Sequence, residues 1–311
     1  MKRLRLVPTG LHLPFMDFHR IAVGVSVVLF IGSIALLLLS GLNFGIDFKG
    51  GTLIEIRTPQ AADLAAVRSE LNALDVGSIA LQEFGSASDV LIRLPLLAGD
   101  ESVQQAAIDR IQATLNGMYP DIEYRRVEFV GPQVSGELIE KGAQAVLVAL
   151  VLMMIYIWFR FEWQFGVGAV LALAHDVGLT IGVFSLTRIE FDLPVVAALL
   201  TIVGYSMNDT VVVYDRIREN LRKYKQQPVR GVIDRSLNDT LSRTVMTSVT
   251  TMLALFALWL FGGAVIAPFV LAMIWGVLIG TYSSLFVAAP VLLYLRPVRV
   301  SDEREGLPDT P

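Results

Sequence analysis

The chain contains no cysteine. That excludes disulfides, thiol nucleophiles and cysteine-ligated zinc. Histidine is almost as scarce: His12, His19 and His175 are too scattered for a histidine-rich metal site. Charge is thin as well. Only 17% of the 311 residues are charged and the formal net charge is −4, which does not fit a basic, nucleic-acid-binding surface. A G-x-x-x-x-G-K-[ST] phosphate loop is also missing. In GIDFKGGT (45–52) the lysine precedes the paired glycines and no soluble helix follows. No ATPase, metal or organic cofactor is therefore expected, and the chain does not read as an enzyme.

What is abundant is apolar surface. The composition is 54% hydrophobic with a mean hydropathy of +0.60, against about 45–50% for an ordinary soluble domain. A membrane span needs about 20 mostly apolar residues. The candidate runs are 21–42, 142–159, 164–186, 193–214, 244–266 and 268–295. A signal peptide has an apolar core of about 7–15 residues and a small-residue cleavage site. The first run is longer and ends in LSGLNFG, so it reads as an uncleaved anchor. RFEW (160–163) makes a tight hairpin, and Gly262, Gly263 and Pro268 permit the last turn.

Six spans put both termini on one side. Lys2, Arg3, Arg5 and Arg20 precede the first span, Arg296 and Arg299 follow the last, and 215–243 is rich in arginine and lysine. The opposite turn, 187–192, holds only Arg188. The positive-inside bias makes the charged side cytoplasmic. The expected order is a cytoplasmic N-terminus (1–20), a first span (21–42), a domain on the trans side (43–138), a five-span bundle (139–295) with a cytoplasmic loop (215–243), and a cytoplasmic tail (296–311). The trans side is the periplasm in a Gram-negative cell.

Residues 43–138 have soluble composition. Stretches 52–58, 78–84, 89–95 and 121–131 read as strands, and 61–74 and 101–118 as helices with apolar residues at helical spacing. The order βαββαβ is that of a split-βαβ, ferredoxin-like α+β sandwich. Such a fold says nothing by itself about activity.

Charges inside spans cost about 2.5–3.5 kcal/mol on insertion scales. In LALAHDVGLT (171–180), Asp176 shares an i, i+4 row with Gly168, Ala172 and Thr180. In the next span Tyr205, Asn208, Asp209 and Val212 share a face. Asp209 lies roughly 7–8 Å inside the cytoplasmic end of that run. LSRTVMTSVTT (241–251) then offers Arg243 as the natural ion partner, followed by Thr244, Thr247 and Ser248. An aspartate that switches between ionised and neutral is what a proton relay requires. Polar residues in spans also serve as interhelical glue, and both readings stand for Asp209 and Asp176. His175 reads as a packed or hydrogen-bonding group. The pairs Gly178/Gly182 and Gly276/Gly280 read as helix-packing positions. Asn208 and Asn238 each start an Asn-Asp-Thr sequon, but one lies in a span and the other in a cytoplasmic segment, so neither is a glycosylation site.

NFGIDFKGGT (43–52) joins the first span to the first strand. Gly45, Gly50 and Gly51 supply backbone freedom for a structural or docking junction. Asp47 and Lys49 are expected to pair with each other or with another chain.

The motifs FGIDFKGGT (44–52), VGPQVSGEL (130–138), AHDV (174–177), GYSMNDTVVVYDRIREN (204–220) and LSRT (241–244) resemble, in order, those of the SecF family of Sec translocon accessory subunits, related to the RND superfamily. The first is shared in looser form with SecD. The resemblance covers nearly the whole chain. It implies a multi-pass protein of the bacterial inner membrane that pairs with SecD, which adds six spans. The pair would use the proton-motive force, with protons as coupling ion, to help draw preproteins out of SecYEG on the trans side. YajC and YidC are implied as further partners, and membrane lipid as surroundings. In the family Asp209 and Arg243 belong to the proton path, with a third member in SecD. Length and Met1 suggest a separate subunit rather than the fused form. The competing readings are an RND-type small-molecule or lipid exporter half-unit, and a scaffold.

Overall fold

A computed structural model describes residues 12–77, 79–263 and 266–295. The basic residues Lys2, Arg3, Arg5, Arg296 and Arg299, and the tail 296–311, lie outside the described residues. Among the described residues, six helical segments are long and apolar enough to cross a membrane. They are α1 (Phe15–Ser40), α5 (Pro132–Arg160), α6 (Trp163–Thr187), α7 (Leu193–Lys223), α8 (Val229–Phe261), and a last span that combines α9 (Ala267–Ser283), a π-helical turn (Ser284–Ala288) and α10 (Ala289–Leu295).

The bounds differ from the hydropathy runs in one consistent way. The helices continue past the apolar stretch into charged sequence. The expected loop 215–243 is not a loop: α7 runs to Lys223 and α8 starts at Val229, so only 224–228 connect them. Likewise α1 begins at Phe15, and α5 begins at Pro132, inside the segment assigned to the soluble domain. The physical reason is length. At 1.5 Å per residue, a helix of 31 residues is longer than a hydrocarbon core of about 30 Å. Its end stands in water, where Arg, Lys and Glu are good helix formers.

The bundle has a buried centre and an open periphery. About half of the apolar windows of α6, α7 and the last span is buried, but only 6% of those of α1 and α5 and 11% of that of α8. In the last span, Pro290 lacks the N–H that would continue the α-helical ladder. The π turn just before it widens the helix, an adjustment that lets proline sit within a span. There Tyr214 of α7 donates to the Ala288 carbonyl at 3.1 Å.

Between α1 and α5 lies the insert domain: β2 (Gly51–Arg57), α3 (Leu64–Asn72), β3 (Ala80–Phe84), β4 (Ser86–Leu94), α4 (Glu101–Met118) and β5 (Glu123–Val130). All pairs are antiparallel, in the order β3-β4-β2-β5. This is the βαββαβ succession read from the sequence. Asp63 and Asp100 cap α3 and α4 by accepting backbone N–H groups of the first turn. Ile54, Ile56, Val90 and Ile92 of the sheet pack on Val67, Leu71, Ile108 and Ile111 of the helices. Three short elements remain among the described residues, β1 (Asn43–Phe44), the one-turn α2 (Ile46–Lys49) and β6 (Glu190–Phe191).

Candidate functional site

Asp176 is fully buried near the middle of α6. Its Oδ2 accepts the hydroxyls of Ser206 on α7 at 2.6 Å and Ser283 at the end of α9 at 2.7 Å. Its Oδ1 lies 3.0 Å from Nδ1 of His175. The row Gly168, Ala172, Asp176 and Thr180 faces inward throughout. The small residues explain how the helices approach so closely. A Cβ on Gly168 would lie 2.3 Å from the Tyr214 hydroxyl. One on Gly276 would lie 2.2 Å from Ile202, and one on Gly280 3.0 Å from Ser206. Gly178 and Gly182 receive Phe30 and Ser33 of α1 in the same way. All five are packing positions.

His175 is a packed group. Its ring stacks on Tyr282, with centroids 6.1 Å apart. The Tyr282 hydroxyl donates to the Ala22 carbonyl at 3.0 Å and lies 3.0 Å from Ser26 Oγ, so the stack reaches α1.

Asp209 lies three residues beyond Ser206 on α7 and is only 9% exposed. Thr244 of α8 donates to its Oδ1 at 2.6 Å. Its Oδ2 is buried and accepts no hydrogen bond of normal geometry among the described residues, with the Ser284 hydroxyl as its neighbour. Such a group bears a large desolvation cost unless a proton, water or another chain meets it. The neighbouring Thr210 and Ser284 hydroxyls are 3.0 Å apart. The hydroxyls form three separate sets at one level of the bundle: Ser206 and Ser283 on Asp176, Thr210 with Ser284, and Thr244 on Asp209. Four spans contribute.

Arg243 is not the direct partner of Asp209. It is exposed and forms no ion pair among the described residues. Successive helical residues point about 100° apart, so when Thr244 faces α7 its neighbour faces away. Asn208 is likewise exposed while Asp209 turns inward. The face predicted from Tyr205, Asn208, Asp209 and Val212 is thus a flank. The inward row is Leu199, Ile202, Ser206, Asp209 and Val213. Ser206, Thr210, Ser283 and Ser284 were not foreseen as site residues, because isolated hydroxyls are common in spans. The paired serines within an apolar run were the available signal.

The glycine motif forms a second constellation. Asn43 and Phe44 pair in parallel with Glu190 and Phe191, and Gly45 N–H donates to the Phe191 carbonyl at 2.9 Å. Gly45 sits close under the α6–α7 turn: a Cβ would lie 2.9 Å from Glu190 Oε1 and 3.3 Å from Asp192 Cβ, so a side chain would displace the Glu190 carboxylate. Gly50 and Gly51 have φ of 72° and 124°, values that glycine tolerates best. Asp47 accepts from the backbone N–H of Leu193 at 2.9 Å, so it caps α7 rather than pairing with Lys49. Arg93 of β4 pairs with Glu190. The motif therefore ties the insert domain to the α6–α7 turn. Burial, with the nearby charges of Glu190 and Asp47, pushes Asp192 up to about 6. Burial raises Glu190 too, against the pull of Arg93.

Comparison with known proteins fits this arrangement. Residues 110–298 match the family described as protein export membrane protein SecD/SecF, C-terminal, and residues 35–62 match the SecD/SecF GG motif. The chain is 47% identical to protein translocase subunit SecF of Rickettsia akari, over 93% of this chain and 94% of that one. It is equally similar to the SecF of Rickettsia prowazekii, over 93% of each chain. Its fold is similar to the crystal structure of SecDF, a translocon-associated membrane protein, from Thermus thermophilus. The TM-score is 0.83 at 36% identity, over 94% of this chain and 40% of that one. SecDF in a super-membrane-facing form aligns with a TM-score of 0.69 at 34% identity, over 97% of this chain and 41% of that one. The chain thus spans about two-fifths of the length of those SecDF chains.

Proposed function

Since this chain belongs to the SecD/SecF family of protein-export membrane proteins, we propose that it is the proton-responsive half of a two-part export motor. Asp209 takes up and releases the coupling proton, and the hydroxyls of Thr244, Ser206, Thr210, Ser283 and Ser284 supply polar stations between it and Asp176. Asn208 and Arg243 stand at the outer edge of this path. From there they meet the partner subunit SecD, whose own intramembrane aspartate completes it. The proton-motive force drives the cycle, without nucleotide hydrolysis by this chain. The pair assists preproteins leaving SecYEG on the periplasmic side of the inner membrane, with both termini of this chain cytoplasmic and with YajC and YidC as neighbours.

The observation that carries this reading is the buried Oδ2 of Asp209, which accepts no hydrogen bond of normal geometry among the described residues. Asp176, in contrast, has both oxygens engaged, so it is the fixed member of the two carboxylates. A proton carrier needs one oxygen free to bind and lose its proton. Asp209→Asn, co-assembled with SecD in vesicles, should keep the complex together and abolish export stimulation by an imposed proton gradient. Unchanged stimulation would sink the proposal.

A further inference from the structure

The charged end of α5 and α7 forms a recess of about 460 Å³ lined by Arg160, Asp215, Arg218, Glu219, Arg222 and Lys223. Its charges are unevenly satisfied. Asp215 takes Arg160 through both oxygens, at 2.7 and 2.8 Å. Glu219 is held by Arg216 at 2.7 Å. Arg218 is partly engaged: it forms an ion pair with Glu162 at 3.7 Å and donates to the Arg160 carbonyl at 3.3 Å. Arg222 and Lys223 form no ion pair among the described residues, and Lys223 only approaches the Tyr224 ring, at 5.3 Å. The floor is ordered by packing. The Arg160 and Arg218 guanidinium groups lie 4.9 and 5.9 Å from the ring centre of the buried Phe161.

We propose that this recess binds the phosphodiester headgroup of an anionic phospholipid. Guanidinium groups match phosphate oxygens in geometry and charge, and Arg222 and Lys223 have no counter-charge among the described residues. The location selects a lipid over a soluble anion. The recess includes Arg160 at the end of α5, and the residues flanking it in sequence, Trp158, Phe159 and Trp163, are exposed by 73%, 87% and 59%. Aromatic rings of this kind sit at headgroup level. Further along α5, Leu152 and Ile155 are exposed and offer an apolar wall for acyl chains. The positive-inside bias places this end at the cytoplasmic leaflet, and basic pockets between spans on that side suit anionic headgroups. The site is independent of Asp209 and of the proton reading.

Native mass spectrometry of the full chain in mild detergent tests this. The probes are phosphatidylglycerol, phosphatidylethanolamine with matched acyl chains, and inorganic phosphate. Wild type should retain phosphatidylglycerol in preference to phosphatidylethanolamine. Arg222→Gln combined with Lys223→Gln should weaken phosphatidylglycerol binding by roughly tenfold or more, since each basic residue near the surface contributes about 1 kcal/mol. Both residues are exposed, so the variant should fold. Lys141→Gln, near the other end of α5, should change nothing. Equal retention of the two lipids, or full retention by the double variant, would overturn the proposal. Inorganic phosphate binding as well as the lipid would reassign the recess to a soluble anion and overturn it too.

Discussion

Asp209 takes its hydrogen bond from Thr244, at 2.6 Å, and not from the arginine one position earlier. This contact joins α7 to α8 through the residue on which proton coupling is proposed to depend. It makes Thr244 the group that holds the carboxylate in place. Thr244→Val should reduce proton-driven export in vesicles by about tenfold, because a hydrogen bond to a charged group is worth about 1.5–3 kcal/mol. Thr244→Ser keeps the hydroxyl and should restore most of the rate. Equal defects in both variants would mean that the methyl packing, not the hydroxyl, is what matters.

The close approach of α9 to α7 depends on Gly276. A Cβ there would press into Ile202, which is fully buried. Gly276→Ala should lower stability by about 1–3 kcal/mol, the usual cost of overpacking a tight core. Gly24 on α1 has nothing within 4 Å of the same position, and Gly24→Ala should be neutral or slightly stabilising. Thermal unfolding of the two variants in one detergent separates them.

The junction should be pH-dependent. Asp192 is raised to about 6 from an unfolded value of 3.8, and Glu190 moves in the same direction. Between about pH 4 and 6 the folded chain holds protons that the unfolded chain has lost. The junction is therefore more stable at the acid end of that window and weakens as pH rises through 6. Asp89, lowered to about 2 chiefly by its hydrogen bond from Arg57, acts oppositely, but only below about pH 4. Hydrogen exchange across 43–50 and 190–195 should slow on acidification once corrected for its intrinsic rate. Asp192→Asn preserves the cap on Val195 and should flatten the trend; a full wild-type response in that variant would rule Asp192 out.

Asp47 and Lys49 should behave differently. Asp47→Ala removes the acceptor for Leu193 N–H and should cost about 1 kcal/mol, as lost helix caps do. The loosened turn should be visible as faster proteolysis near 188–193. Lys49 is exposed, and Lys49→Ala should stay within about 0.5 kcal/mol of wild type. A change in co-purification of SecD with Lys49→Ala would show that this lysine serves the partner.

The parts legible from sequence were those with a local signal. Apolar runs announced the spans, and alternation announced the strands of the insert. Helical spacing marked α4 over Glu101–Met118. Asp176 and Asp209 were visible because a carboxylate within an apolar run is expensive and therefore conspicuous. The end of α7 is hidden for a related reason. Hydropathy reports where a helix leaves lipid, not where it stops, so the pattern alone predicts a loop over 215–223.

The sequence by itself therefore determined the membrane character, the number of spans, the βαββαβ insert and the two carboxylates of the core. Each follows from composition and periodicity within one segment. Only the tertiary structure decided that Thr244 rather than Arg243 meets Asp209, and that Ser206 and Ser283 hold Asp176. It also decided that the glycine motif docks on Glu190 and Leu193. Those contacts join residues 30 to 146 positions apart. They depend on the rotation and register of one helix against another, where a single position turns a side chain by about 100°. Local pattern specifies that a helix has an inward face, but packing against its neighbours selects which residues occupy it.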